Sequence, residues 1–97
     1  MVIPEGTVSI EYQAYANKKT IRKVYIPSSV TNIGSSAFNG CTNLREVIFM
    51  EPDKEDRKPV FLGHDVFRQC INLYSITLPK NIGSINGGCF RDCQKLC

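Results

Sequence analysis

The residues of this sequence with the most obvious capacity for chemistry are its five cysteines. The last three of them, Cys89, Cys93 and Cys97, follow one another at intervals of four residues. Structural zinc sites pair cysteines at a comparable spacing, but they also use a second pair of ligands. Two of these three cysteines instead fall on positions of an internal repeat that is described below. The sequence therefore predicts no metal site and no cofactor.

A second chemical candidate is the neighbouring pair His64 and Asp65, in which His64 is the sole histidine of the chain. A histidine and a carboxylate can activate a serine or cysteine nucleophile, provided that the nucleophile lies within hydrogen-bond reach. The repeat places His64 at an outward corner, where Ser35 lies in the preceding repeat unit. No nucleophile, carboxylate pair or glycine-rich phosphate loop stands out from the repeat, and we predict that the chain is not an enzyme.

The third candidate is the segment 51–59, in which seven of nine residues are charged and the other two are prolines. Its four acids suggest a calcium loop, but such a loop needs a glycine at its sixth position and a terminal glutamate. Neither is present, and three basic residues lie among the acids. We therefore predict a solvated surface loop.

All of these residues belong to a repeat that is clearest over residues 24–49. This unit begins with an apolar alternation at Val24 and Ile26 and ends with another at Val47 and Phe49. Recurrence of one unit at a fixed period is typical of solenoid proteins. Four fields recur in the same order: a proline or Met50 after the strand (Pro4, Pro27, Met50, Pro79), a small residue with an aromatic one (Ala14-Tyr15, Ala37-Phe38, Val66-Phe67, Cys89-Phe90), a mostly cysteine position (Lys18, Cys41, Cys70, Cys93) and an aliphatic position (Ile21, Leu44, Leu73, Leu96).

The spacing of the repeat locates an insertion. The step between aromatic positions is 23 residues from Tyr15 to Phe38 and from Phe67 to Phe90, but 29 residues from Phe38 to Phe67. One coil therefore carries six additional residues, which we assign to the charged segment 51–59. The sequence predicts a single domain over 1–97 with about four coils: 1–23, 24–46, 47–75 with the inserted loop, and an incomplete coil at 76–97.

The pattern V-x-I-P-x-x-V-x-x-I-G-x-x-A-F-x-x-C-x-x-L resembles the BspA-type leucine-rich repeat of surface antigens from anaerobic bacteria and protozoan parasites. Residues 24–49 match it almost throughout, and residues 70–97 match it up to the last residue of the sequence. The first coil departs from it at Tyr15 and Lys18. The resemblance implies a solenoid with parallel strands that serves in adhesion or recognition, at the cell surface or in a secreted protein, without catalytic residues.

The repeat predicts a right-handed, mostly β solenoid with a short parallel sheet. We expect strands centred on Val24–Ile26, Val47–Phe49 and Ile76–Leu78, a further short strand over Ser9–Tyr12, and helical or 3₁₀ turns near Gln13–Asn17, Ala37–Asn39 and Val66–Arg68. In the first coil, we expect Met1, Ile3, Ala14 and Tyr15 to point inward. The equivalent cysteines should stack as reduced thiols, because parallel strands about 4.8 Å apart hold their side chains parallel rather than converging as a disulfide requires. We expect Cys97 to be exposed.

Composition and charge exclude some classes of function. The chain is 42% hydrophobic and 22% charged, with a formal charge of +3. This mild basicity does not indicate a nucleic-acid binder, and the basic cluster of Lys18, Lys19, Arg22 and Lys23 lacks the interleaved aromatic residues that stack on bases. No apolar run approaches the roughly 18 residues of a membrane span, and no signal peptide is recognisable in this chain.

A candidate binding surface follows from the alternation of side chains along a strand. The outward positions of the main sheet form two rows: Val2, Tyr25, Ile48 and Thr77 in one, and Lys23, Glu46 and Ser75 in the other. Three apolar or aromatic residues in one exposed row suggest contact with a protein or glycan ligand. Two interpretations remain beside it: these residues are simply good strand formers, or the coils are structural spacers in a longer surface protein.

The ends of the repeat array raise the question of self-association. Terminal repeats normally need polar caps, and neither end of this sequence has one. We expect either a homo-oligomer formed through the ends or a fragment whose further coils supply the caps.

Overall fold

The protein, described by a computed structural model over residues 1–51 and 58–96, is built from seven short strands that all pair in parallel. In chain order they are β1 (Ser9–Ile10), β2 (Lys23–Ile26), β3 (Asn32–Ile33), β4 (Glu46–Phe49), β5 (Val60–Leu62), β6 (Ser75–Thr77) and β7 (Ile82–Ile85). The expected mostly β solenoid is confirmed.

The strands form two sheets, each of which takes one strand from each successive coil. One sheet has the order β2-β4-β6, and Val2 extends it through an isolated parallel bridge to Tyr25. The other sheet has the order β1-β3-β5-β7. The predicted strand centred on Ile76–Leu78 lies one residue earlier than expected, because Ser75 pairs with Glu46 and Pro79, which has no N–H to donate, follows soon after. The predicted strand over Ser9–Tyr12 is confined to its first two residues.

The sheet registers locate the additional residues of the third coil. Strand β4 pairs with β2 at a step of 23 residues, as Lys23 with Glu46, whereas β5 pairs with β3 at a step of 29 residues, as Asn32 with Phe61. The additional six residues therefore lie between β4 and β5. Most of the predicted charged loop, residues 52–57, lies outside the described residues.

The expected helical turns are wrong, since the described residues form turns there and no helix. The N–H groups of Ala37, Asn39 and Cys41 each donate to the carbonyl oxygen three residues earlier, at 3.2 Å. The intervening N–H of Phe38 instead donates across to Val66 of the next coil at 2.9 Å, and that of Gly40 donates to Arg68 at 2.8 Å. A helix would use every N–H internally. Here alternate N–H groups join neighbouring coils, so the turns are themselves part of the stacking.

A continuous apolar core runs through the coils between the two sheets. The rings of Tyr15, Phe38, Phe67 and Phe90, which we call the aromatic stack, lie nearly parallel with centroids 5.3, 5.5 and 5.8 Å apart in turn. Phe38 and Phe67 are completely buried, whereas Tyr15 and Phe90 are partly buried at the two ends. Among the described residues, no polar or charged side chain is buried. Apolar burial therefore holds the coils together.

Two inward expectations for the first coil are wrong. Met1 is 40% exposed and Ala14 is exposed, although Ile3 is buried as expected. The equivalent residues of the second coil, Val24 and Ala37, are completely buried. The difference arises because the second coil has described neighbours on both sides, whereas the first coil is covered on one side.

Candidate binding face

The residues that the sequence predicts as a binding surface lie on the outward side of the sheet β2-β4-β6. The register brings Val2 beside Tyr25, Tyr25 beside Ile48, and Ile48 beside Thr77. We call these four residues the outer row. Val2 is 69% exposed, Thr77 is exposed, and Tyr25 and Ile48 are partly buried, while the alternate residues Val24, Ile26 and Val47 are completely buried.

The second predicted row lies beside the outer row and is tied together by side-chain contacts. Lys23 pairs with Glu46 and Glu46 with Ser75 in the sheet register. The Lys23 Nζ lies 3.9 Å from Glu46 Oε2 and 5.2 Å from the centroid of the Tyr25 ring. The Tyr74 hydroxyl donates to Glu46 Oε1 at 3.1 Å. Tyr74 was not predicted for this face, although it directly precedes β6 in the sequence.

These contacts affect two ionisable groups. A hydrogen bond with Tyr25, together with the charge of Glu46, raises the pKa of Lys23 above its usual value. A hydrogen bond to Glu46 and the charge of that carboxylate raise the pKa of the Tyr74 hydroxyl. Both shifts favour the protonated forms, so at neutral pH the face presents a charged Lys23 and a neutral Tyr74 hydroxyl on either side of Glu46.

Three of the cysteines lie on the opposite, inward side of the coils and form a regular row: Cys41, Cys70 and Cys93. The Sγ of Cys41 donates to the Tyr15 carbonyl oxygen at 3.2 Å. The same contact recurs from Cys70 to Phe38 at 3.3 Å and from Cys93 to Phe67 at 3.1 Å. The four described cysteines are free thiols. The row thus ties each coil to the preceding one, and Cys97 lies outside the described residues.

Burial makes these thiols poor nucleophiles. Removal from water raises the pKa of Cys41, Cys70, Cys89 and Cys93, and the neighbouring cysteines add to the shift at Cys70. A raised pKa leaves less thiolate, which is the reactive form, at neutral pH. Because the folded state holds these protons more tightly than the unfolded state, stability should fall as the pH rises above the ordinary thiol pKa of about 9.

Thiol labelling tests this description. With N-ethylmaleimide at pH 8, we expect Cys41 and Cys70 of the native protein to react much more slowly than the partly exposed Cys93, and Cys97 to react fastest. Peptide mass spectrometry over time gives the rate at each site, and the same protein unfolded in urea gives the reference rates. Equal native rates at all five cysteines, or a Cys41–Cys70 disulfide, would contradict the inward row.

The other chemical candidates are not brought into a common site. His64 is exposed at a corner, in the position that Ser35 occupies one coil earlier, and the neighbouring Asp65 lies 4.0 Å from Arg68. Within residues 1–51 and 58–96, no three histidine, cysteine or acidic side chains are grouped so that they could hold a metal ion. In the same part of the chain, no helix is long and apolar enough to span a membrane.

A row of asparagines, not predicted from the sequence, also joins the coils. The Asn43 Nδ2 donates to the Lys19 carbonyl oxygen at 2.6 Å, and the Asn72 Nδ2 donates to the Thr42 carbonyl oxygen at 2.8 Å. Both asparagines follow a cysteine of the inward row by two residues. The recurring C-x-N-L pattern in the sequence could have identified these asparagines as further residues that join neighbouring coils.

A groove adjoins one end of the outer row, at the corner that follows β2 and β4. Its volume is about 640 Å³. Val2, Tyr25, Pro27 and Met50 supply apolar surface, and two carboxylates, Glu5 and Glu51, also line it. The groove was not predicted from the sequence, because it is formed by turn residues of three different coils.

Known proteins and structures share the repeat and the fold. The family model of the BspA type leucine rich repeat region, which is described as a region of 6 copies, matches residues 1–97. A leucine rich cell surface protein from Faecalibacterium prausnitzii superposes with a TM-score of 0.79 at 30% identity. The leucine rich repeat protein of T. pallidum superposes with a TM-score of 0.56 at 29% identity. No curated protein matches the chain.

The two solved structures are much longer than this chain. The superposition covers 98% of the chain but 27% of the F. prausnitzii protein, and 99% of the chain but 55% of the T. pallidum protein. The repeat fields, the parallel sheets and the match of the family model over the whole sequence agree with one another. The chain therefore belongs to the BspA-type leucine-rich repeat family.

Proposed function

We propose that the chain is a non-enzymatic binding module that recognises a protein or glycan through the outer row and the polar row beside it. The main observation in support of this proposal is the composition of the face. Val2, Tyr25 and Ile48 line up across three coils with apolar surface accessible to solvent. Aromatic residues are enriched at protein interfaces, and a charged rim gives specificity.

The rigid support of the face favours this proposal. Tyr25 and Ile48, the middle residues of the outer row, each lie between two buried residues of the core. Contacts among Lys23, Glu46 and Tyr74 join the neighbouring polar groups. A preorganised surface loses little conformational entropy when a ligand binds. The F. prausnitzii relative is a cell surface protein. A location at the cell surface, as part of a longer protein, fits the same role for this chain.

The experiment is a screen of glycan and protein arrays with the wild-type chain and the Tyr25→Ala variant. We expect a small set of ligands to bind the wild type and to lose most of the signal with Tyr25→Ala, because truncation removes an aromatic contact at the centre of the face. Tyr12→Ala is the matched control, since Tyr12 is 65% exposed but lies outside the sheet β2-β4-β6. It should retain binding.

The structural-spacer interpretation predicts a different result. Spacer coils would bind nothing on either array, or would give signals that Tyr25→Ala and Tyr12→Ala reduce equally. Either result would contradict the binding module. Binding to nucleic acid would contradict the prediction made from the charge pattern.

Self-association through the ends stays a prediction. In the described part of the chain, β6 and β7 are the edge strands of the two sheets at one end of the array, and β1 is an edge strand at the other end. Such edges offer backbone N–H and C=O groups to another chain.

A further inference from the structure

The groove beside the outer row has a chemistry that indicates one class of ligand. Its apolar surface comes from Val2, Tyr25, Pro27 and Met50, of which Val2 and Met50 are 69% and 48% exposed. Among the residues that the structure describes, the charged ones that line it are Glu5 and Glu51, and none of these lining residues is basic. This is unusual in a chain with 12 basic and 9 acidic residues. An apolar surface between two carboxylates suits long basic side chains, whose methylene stems pack while their charged ends reach the acids.

The two carboxylates occupy equivalent positions in different coils. The register pairs Val2 with Tyr25 and Tyr25 with Ile48, so Glu5, Ser28 and Glu51 follow their strands at the same distance and lie in one row. Stacked parallel strands are about 4.8 Å apart, which places the Glu5 and Glu51 backbones about 10 Å apart, with Ser28 between them. The Glu51 Oε1 accepts the Lys80 backbone N–H at 3.3 Å.

This separation is close to the repeat of a polyproline II peptide. A polyproline II helix rises about 3.1 Å per residue with three residues per turn, so residues i and i+3 lie on one face about 9 Å apart. In a β-strand, same-face residues are about 7 or about 13 Å apart, and neither value fits. Polyproline II segments also dock against aromatic side chains, which Tyr25 supplies here.

We propose that the groove binds a polyproline II peptide segment with two basic residues three positions apart, one directed at Glu5 and the other at Glu51. The segment lies along the row of coils, with its intervening residues on Tyr25, Pro27 and Met50. This inference rests on the proposed function, because Val2 and Tyr25 belong to both the groove and the outer row. It adds a ligand class that the outer row by itself does not specify.

A fluorescence anisotropy titration tests the proposal with a labelled synthetic peptide, PPKPPKPP, and the wild-type chain at low salt. We expect saturable binding that weakens as salt is added. Glu5→Gln and Glu51→Gln should each weaken binding about two- to fivefold, as expected for ion pairs of exposed carboxylates, and the double variant about tenfold. Glu11→Gln is the matched control, since Glu11 is exposed, does not line the groove and should leave binding unchanged.

Peptides of altered composition and spacing complete the test. A peptide with glutamine at both lysine positions should not bind, and PPKPKPPP, with lysines two apart, should bind more weakly than the original. The proposal is overturned if PPKPPKPP does not bind, if the spacing makes no difference, or if Glu11→Gln weakens binding as much as Glu5→Gln. These results leave the outer row untouched: an array ligand that is lost with Ile48→Ala but retained with Glu5→Gln and Glu51→Gln would support the proposed function without this groove.

Discussion

Replacing Phe38 by alanine should destabilise the protein by about 3–5 kcal/mol, the typical cost of removing a buried phenylalanine. Phe38 is completely buried and stacks on two rings, Tyr15 at 5.3 Å and Phe67 at 5.5 Å. Each aromatic pair contributes about 0.5–1.5 kcal/mol beyond the burial of apolar area. A domain of this length has a total stability of roughly 5–15 kcal/mol, so the loss is a large share of it. Urea unfolding followed by circular dichroism measures the change.

Phe90→Ala is the matched control for this prediction. Phe90 is partly buried and stacks on Phe67 at 5.8 Å, at the end of the aromatic stack. Its truncation removes one described ring contact and leaves a smaller cavity, so its cost should be clearly lower than that of Phe38→Ala. Equal losses in the free energy of unfolding of the two variants would mean that the aromatic stack is not what stabilises the core.

Replacing Gly63 by alanine should cost about 1–3 kcal/mol, the range for inserting a methyl group where there is no room. An ideal Cβ on Gly63 would lie 2.7 Å from the backbone nitrogen of Ser35, in the preceding coil. Ser35 cannot easily yield, because Gln13 N–H donates to its carbonyl oxygen and Gly63 N–H donates to Ile33. The variant must therefore separate two coils at a point where their backbones approach closely.

Gly87→Ala is the control for the close approach. The nearest atom to an added Cβ at Gly87 is the Nδ1 of His64 at 3.8 Å, an ordinary contact distance. This substitution should be neutral or stabilise by about 0.4–1 kcal/mol, because alanine restricts the unfolded chain more than glycine does. Thermal unfolding of both variants gives the comparison, and a Gly63→Ala variant as stable as Gly87→Ala would contradict the close packing of coils.

The side chains that point into the core could be predicted from the sequence alone. Inward positions repeat in type at each coil, so Val24 and Val47, or Cys41 and Cys70, could be aligned and assigned to the core from the repeat pattern. The alternation within β2 and β4 then assigned Tyr25 and Ile48 to the opposite side. Their partly exposed positions in the structure follow that alternation.

The conformation of the turns could not be predicted in the same way. Residues around Ala37 and Phe38 have a spacing that suits a helical turn, but their alternate N–H groups donate to the next coil. This competition between local and intercoil hydrogen bonds depends on how far apart the coils lie, which no local pattern encodes. For a related reason, the groove beside Tyr25 was missed: Glu5 and Glu51 are distant in sequence, and the stacking of coils brings them into one row.

The central claim is that a ligand binds to the outward side of the sheet β2-β4-β6. Substitutions of two isoleucines test this claim directly. Ile48 lies in the middle of the outer row, whereas Ile85 is 42% exposed in β7 of the other sheet. Isothermal titration calorimetry with the strongest array ligand should show at least about fivefold weaker binding for Ile48→Ala, as for a residue at the centre of an interface. Ile85→Ala should bind as the wild type does. Unchanged affinity in Ile48→Ala, or a larger loss in Ile85→Ala, would contradict the assignment of the binding face.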